Sequence, residues 1–147
     1  MNGLSPEWHL LATDETEGEY IIRLQRMWSS IRCPHCGRID DHIRFGRRRQ
    51  RYRDLPKRGK PVSMVVHRQR CRCRHCGKTF LESLPDMDTH HRATQRLIDY
   101  IRQQGLRRTF VSIAAEVGLS EGSIRNIYRE ETKQVLGELA EEVGASY

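Results

Sequence analysis

The sequence predicts an α+β chain, β-rich in its N-terminal part and all-α afterwards, on three observations. The pattern Cys-x-x-Cys-Gly occurs twice, as Cys33-Pro34-His35-Cys36-Gly37 and Cys73-Arg74-His75-Cys76-Gly77. The stretch between the two copies has strand composition, with Arg68, Arg70, Arg72 and Arg74 at every second position. From Ala93 onward the apolar residues switch to helical spacing.

Taken in order, Trp8 to Ala12 and Tyr20 to Leu24 are apolar runs on either side of an acidic turn, residues 14–19, that contains Gly18. That arrangement reads as a β-hairpin, because the acidic, glycine-containing stretch breaks a helix. Residues 33–80 read as cysteine turns and strands. Pro56 and Pro61 flank a basic loop, Lys57-Arg58-Gly59-Lys60, and Val62 to His67 forms a strand leading to the second cysteine pair. Residues 81–91, with Pro85, Asp86, Asp88, His90 and His91, read as a linker in which the two histidines are solvated. Leu97, Ile98 and Ile101 make one helical face that Gly105 ends. Thr109 caps a second helix carrying Phe110, Ile113, Ala114 and Val117, Gly118-Leu119 turns the chain, and Ser120 caps a third with Ile124, Ile127 and Tyr128. Val135, Leu139 and Val143 mark a further amphipathic helix, which offers a homodimer face or a lead into another domain. The boundaries that follow are a hairpin and cysteine domain over 1–82, a linker over 83–92, a helical domain over 93–131 and a C-terminal helix over 132–147.

Composition narrows the function classes. The chain has 147 residues, 37% hydrophobic and 31% charged, so each domain builds only a small core and benefits from a stabilising metal or partner. No apolar run approaches the roughly 18 residues of a membrane span, and the N-terminus shows no secretory pattern. A cytoplasmic protein with reduced thiols is expected, with no membrane partner. The net charge of +7 is unevenly spread: residues 33–80 hold 15 basic and 3 acidic residues, while the flanking segments are slightly acidic. A basic excess of that size favours nucleic acid.

Two CxxCG turns supply four thiolates, the tetrahedral set of structural zinc, with glycine letting each turn close around the metal. Cys33, Cys36, Cys73 and Cys76 are therefore the predicted ligands of one Zn²⁺, in a zinc ribbon whose spacer, residues 37–72, holds an extended hairpin. Cys71 is the alternative to Cys73; otherwise it faces out of its strand. His35 and His75 are bystanders, since four sulfurs complete the shell. An Fe–S centre, a redox pair and unmetallated cysteines are the competing readings. With every ligand position filled, the site is structural and not catalytic.

The basic residues divide into two groups. Arg44, Arg47, Arg48, Arg49, Arg51, Arg53, Lys57, Arg58, Lys60, Arg68, Arg70 and Arg72 lie in the ribbon, with Phe45 and Tyr52 interleaved. They are candidate phosphate contacts, a role that supplies affinity with little sequence choice. The run Arg108 to Arg129, RTFVSIAAEVGLSEGSIRNIYR, has the form of a helix-turn-helix, whose second helix enters the major groove of DNA. Arg107, Arg108, Ser120, Glu121, Ser123, Arg125, Asn126 and Arg129 are its candidate DNA contacts, with Arg suited to guanine and Asn to adenine.

The ordered series of acidic hairpin, CPHCG, arginine cluster, RDLP, GKPV, CRHCGKTF and TFVSIAAEVGLSEGSIRNIY resembles the N-terminal region of bacterial insertion-sequence transposases of the ISL3 family. The resemblance spans nearly the whole chain and places the zinc ligands at Cys33, Cys36, Cys73 and Cys76. It implies a zinc-binding domain followed by a helix-turn-helix that recognises the element's terminal inverted repeats, and hence double-stranded DNA as partner in the bacterial nucleoid. A full transposase continues into a nuclease domain with three separated metal-binding carboxylates, which the residues here do not supply. The chain is accordingly expected to be a non-enzymatic DNA-binding protein, a truncated transposase or a derived transcriptional regulator. Strand transfer or cleavage by a chain that needs a missing partner domain, an RNA-binding zinc ribbon using Phe45 and Tyr52 for stacking, and a redox- or metal-sensing repressor using Cys71 are the remaining alternatives.

Overall fold

A computed structural model describes residues 4–27 and 30–144. β1 (Trp8–Glu15) and β2 (Tyr20–Arg26) pair antiparallel from Trp8↔Arg26 to Glu15↔Tyr20, with a register shift between Leu10 and Ala12. This is the expected hairpin, closed where the Thr16 N–H donates to the Glu19 carbonyl at 2.9 Å and the Glu19 N–H donates to Thr16 Oγ1 at 3.1 Å. β3 (His42–Lys57) and β4 (Lys60–Cys73) form a long hairpin. Its two-residue loop has Arg58 at φ 51° and Gly59 at φ 76°, the pair of left-handed residues that a type I′ turn requires. β5 (Thr79–Leu81) pairs antiparallel with β4, Cys71 opposite Phe80, and the main strand order runs β1-β2-β4-β3.

The chain divides into two compact units, one of Met1–Tyr52 with Ser63–Met87 and one of Arg53–Val62 with Asp88–Tyr147. In the first, Trp8, Leu24, Tyr52, Met64 and Val66 form one apolar cluster, and Cys33, Cys71, Cys73 and Phe80 form a second. Asp86 anchors the start of the chain there: its carboxylate accepts from the Ser5 N–H at 2.7 Å and from the Trp8 indole N–H at 3.2 Å.

The second unit holds α1 (Gln95–Gln104), α2 (Phe110–Val117) and α3 (Glu121–Gly144) around Leu97, Ile98, Ile101, Ile113, Ala114, Val117, Ile124 and Ile127. Its caps follow the sequence. Thr109 Oγ1 accepts from the Ser112 N–H and Ser120 Oγ from the Ser123 N–H, at 3.2 and 3.1 Å. Thr94 caps α1 in the same way, accepting from the Leu97 N–H at 3.3 Å. Gly105 ends α1 in a right-handed conformation, so no positive φ explains the glycine. The Tyr128 ring lies where a Cβ would stand, 2.5 Å away, and that close approach does.

Three expectations are revised. The helical unit is not all-α, because it includes residues 53–62 and β7 (Ala93–Thr94), which pairs parallel with β3 at Arg53↔Ala93. Here Leu55 packs on the helical core, and buried Asp54 accepts from Thr94 Oγ1 at 2.7 Å and from Arg96, an ion pair that satisfies a charge in the interior. The third and C-terminal helices are one helix of 24 residues, since no Gly or Pro interrupts the caps' reach between Tyr128 and Leu136. Leu139 is exposed, while the side chains of Val135 and Val143 lie outside the described residues. The linker over 83–92 holds the boundary between the two units, Met87 in one and Asp88 in the other, and contains β6 (Met87–Asp88). Tyr52 is a core residue, fully buried with its hydroxyl donating to Gln50 Oε1 at 3.0 Å, and it offers no stacking surface. No helix among the described residues is long and apolar enough to cross a membrane.

Gly118 has φ 77°, and a Cβ there would stand 2.9 Å from Pro61 Cβ and 3.1 Å from the Arg53 guanidinium carbon. Gly118→Ala should therefore lower unfolding free energy by at least about 1–2 kcal/mol, the cost of a left-handed alanine, with the contact adding to it. Urea denaturation checks this; an unchanged midpoint would show that the turn relaxes freely.

Candidate metal centre and nucleic-acid interface

Each cysteine pair sits on the same short-range geometry. The Gly37 N–H donates to the Cys33 carbonyl at 2.9 Å, and the Gly77 N–H to the Cys73 carbonyl at 3.0 Å. The Cys33 N–H reaches the Arg38 carbonyl and the Cys73 N–H the Lys78 carbonyl, at 2.9 and 3.0 Å. Gly37 and Gly77, at φ 80° and 75°, provide the left-handed step that lets each turn fold back. One further bond, from the Arg74 N–H to the Asp41 carbonyl at 2.9 Å, ties the second turn to the chain just past the first.

These turns bring Cys33, Cys36, Cys73 and Cys76 together, all four sulfurs within 4.8 Å of one another. The Cys33–Cys76 and Cys36–Cys73 sulfur separations are 3.7 and 3.5 Å. A tetrahedral zinc with bonds of about 2.3 Å needs sulfurs about 3.8 Å apart, so the set fits the ion with little movement. The thiol chemistry also favours a metal. The Cys76 N–H lowers Cys73 to about 7, against desolvation and with help from the His75 N–H. The Arg38 N–H acts on Cys36 in the same direction, but desolvation and the neighbouring thiols raise it to about 11. Four crowded sulfurs thus resist sharing negative charge until a cation neutralises them.

Cys71 is not a ligand, and it does not face outward. Residues two apart on a strand share a face, so Cys71 points inward with Cys73 and is fully buried against Phe80 and Cys33. Burial, with Glu82 adding to it and Arg44 opposing, pushes its thiol up, which removes the reactive thiolate a redox sensor needs. His35 and His75 are exposed and outside the sulfur cluster.

The arginines separate into structural and outward groups. Arg68 is half-buried, donating from Nε to the Glu82 carbonyl at 2.6 Å and reaching Gln50 at 3.3 Å, so the row of four arginines is not a uniform face. Arg70 lies over the Phe45 ring at 5.0 Å, Arg72 is exposed, and Arg74 lies beyond the strand. On β3, Arg44, Arg48 and Arg49 are exposed, Arg47 donates to Gln25, and Arg51 lies 3.7 Å from Glu19. Lys57 and Arg58 are exposed at the hairpin turn, Lys60 is half-buried beside them, and Arg53 is half-buried near Gly118. Arg26, Arg44 and Arg47 line a cavity of about 210 Å³ with His67 and Glu82. Sequence reading missed His67. Its Nε2 is buried without a hydrogen-bond partner among the described residues, and burial, then Arg49, Arg23 and Arg47, lowers its pKa.

On α3, Ile124 and Ile127 face the core, while Glu121, Gly122, Asn126 and Arg129 are exposed and Ser123 and Arg125 are half-buried. Arg125 donates to Glu121 Oε1 at 2.9 Å, one turn away. Arg107 is exposed, but Arg108 is held inside the unit by Glu116 at 2.9 Å, Ser112 at 2.8 Å and Tyr100 at 3.4 Å.

Residues 29–76, which end on the fourth sulfur ligand, match the family described as the zinc finger of the transposases IS204, IS1001, IS1096 and IS1165. Residues 82–131 match the helix-turn-helix domain of transposase family ISL3. The chain carries the zinc-binding and helix-turn-helix region of an ISL3-family transposase. The two matched stretches cover about two thirds of it, in the order and at the places its motifs indicate. No curated protein and no solved structure matches the chain. The four-cysteine cluster of this ISL3 region is a structural zinc site, and its helix-turn-helix is a DNA-binding element.

Because structural zinc contributes on the order of 10 kcal/mol to folding small domains, Cys36→Ser should release zinc and unfold the ribbon. Cys71→Ser should keep one zinc per chain, since it touches only packing. Zinc content by atomic absorption, with circular dichroism, checks both; a metal-free but folded Cys36→Ser would refute the first and zinc loss in Cys71→Ser the second.

Proposed function

We propose that this chain recognises the terminal inverted repeats of its transposable element as double-stranded DNA, with α3 reading bases in the major groove and the ribbon gripping phosphates. The observation that carries the reading is α3 itself, which buries Ile124 and Ile127 and turns Glu121, Arg125, Asn126 and Arg129 outward in a domain of the ISL3 helix-turn-helix family. Arg125 suits guanine and Asn126 adenine, and Glu121 holds the Arg125 guanidinium in place until a base edge replaces it. The Ser120 cap and exposed Gly122 leave the start of α3 slender enough for close approach to the groove. Exposed Arg44, Arg48, Arg49, Arg72, Lys57, Arg58 and Arg107 are the phosphate contacts of this reading. Arg68 and Arg108 position other groups, since their guanidinium donors are already engaged. The described residues act by binding and perform no strand cleavage. A regulator built on the same elements would bind a promoter in the same way.

Selection of bound duplexes from a random pool at near-physiological salt, with zinc-loaded protein, tests the reading. A defined motif that also occurs at element ends supports it; enrichment of no motif despite tight binding would leave a ribbon that holds nucleic acid by charge alone. Incubating end DNA with Mg²⁺ or Mn²⁺ tests the absence of cleavage, and nicking would overturn it. On the selected site, Arg125→Ala should cost about 1–3 kcal/mol at one base pair, whereas Arg48→Ala should weaken all sequences alike and reduce the salt slope by about 1. Equal losses on every sequence for both variants would make Arg125 a phosphate contact.

A further inference from the structure

We propose that His90, His91 and Glu130 form a second metal site, exposed and exchangeable, that takes a divalent transition ion of the zinc class and clamps the segment before α1 onto α3. The donor atoms of these three residues lie within 4.8 Å of one another. The Glu130 carboxylate addresses both rings, one oxygen 2.5 Å from His91 Nε2 and the other 3.8 Å from His90 Nε2. Neighbouring residues rarely direct their side chains to one point, and here a local turn makes them do so. Asp88 Oδ1 accepts from the N–H groups of both His90 and His91 at 3.0 Å, which folds the backbone so that the two rings stand 4.6 Å apart, edge to face.

An ion pair alone accounts for His91 but not for this pairing of rings. Two protonated imidazoles at that separation repel one another, and a single carboxylate neutralises only one of them. One divalent cation satisfies both rings in their neutral form together with the carboxylate. Two imidazole nitrogens and one carboxylate oxygen are ligands for zinc, cobalt or nickel; magnesium and calcium prefer oxygen alone, and no sulfur is present to select a softer ion. Metal–ligand bonds of about 2.0–2.2 Å place donors roughly 3 Å or more apart, so the His91–Glu130 contact opens slightly as the ion enters. The Glu130 and His90 side chains, 52% and 78% exposed, are free to make that adjustment, while His91 at 13% anchors the site. With three protein donors, water completes the shell, in contrast to the closed four-sulfur centre.

Glu130 directly follows Arg129, the last of the candidate DNA contacts on α3. An ion at this position therefore fixes α3 just past its candidate DNA contacts to the turn that leads into α1. The metal site stands whether or not α3 reads DNA.

The test is titration of the full chain, already loaded with one zinc, with further Zn²⁺ and in parallel with Co²⁺, followed by calorimetry and absorption. The wild type should bind a second equivalent and gain thermal stability from it. That equivalent and that gain should be lost in His90→Ala and in Glu130→Gln, both exposed enough to leave the fold intact. Cobalt at this site should show weak ligand-field bands without the sulfur-to-metal charge transfer of the first site. Saturation at a single equivalent in the wild type would overturn the proposal. So would a second equivalent that both variants retain, since it would then sit elsewhere, such as on the exposed His35 and His75.

Discussion

Coordination of one ion by four sulfurs is the constraint on which the ribbon depends. Cys33 and Cys36 close one turn and Cys73 and Cys76 another, and between them runs the long β3–β4 hairpin. The apolar cluster beside the site is small, made of Cys33, Cys71, Cys73 and Phe80, two of them ligands themselves. Burial of that size offsets little of the chain entropy of ordering two turns and a hairpin base. The metal bond energy supplies the difference, which is why the thiols can be crowded in a way that opposes their own ionisation.

The positive charge of the ribbon is organised by the same strand geometry. Alternation along β4 sends Gln69, Cys71 and Cys73 inward and leaves Arg68, Arg70 and Arg72 on the other face. Neighbours then set each arginine's role: the Glu82 carbonyl and Gln50 engage Arg68, the Phe45 ring engages Arg70, and Arg72 remains outward. In the helical unit Arg108 is engaged by Glu116 in the same manner, and Arg107 next to it is exposed. Basic composition measures the charge available; hydrogen-bond partners determine how much of it faces a polyanion.

What could be read from the sequence was local. Spacing identified the four zinc ligands, and cap chemistry placed Thr109, Gly118 and Ser120 at the ends of α2 and α3. The acidic turn between Trp8 and Leu24 marked a hairpin. What escaped was long-range or depended on facing. Asp54 and Arg96 meet across 42 residues, Asp86 and Trp8 across 78, and His91 and Glu130 across 39, and no periodic pattern links such partners. Tyr52 stands among arginines in sequence, yet strand parity turns it into the core beside Trp8 and Leu24. Cys71 was misdirected for the same reason: its position relative to Cys73 already implied a shared face, and the second buried sulfur became visible only with the strand in place.

The hairpin that leaves the ribbon also completes the helical unit. Asp54 and Leu55, on the outgoing strand, supply that unit with an interior carboxylate for Thr94 and Arg96 and an apolar wall for the helices. In the linear order the zinc finger and the helix-turn-helix look like two cassettes joined by a spacer, matched over 29–76 and 82–131. Physically the first cassette contains a piece of the second. A chain cut between the two matched stretches would leave the helical unit missing part of its own interior. Asp54 and Leu55 must therefore stay with the helices for that interior to close.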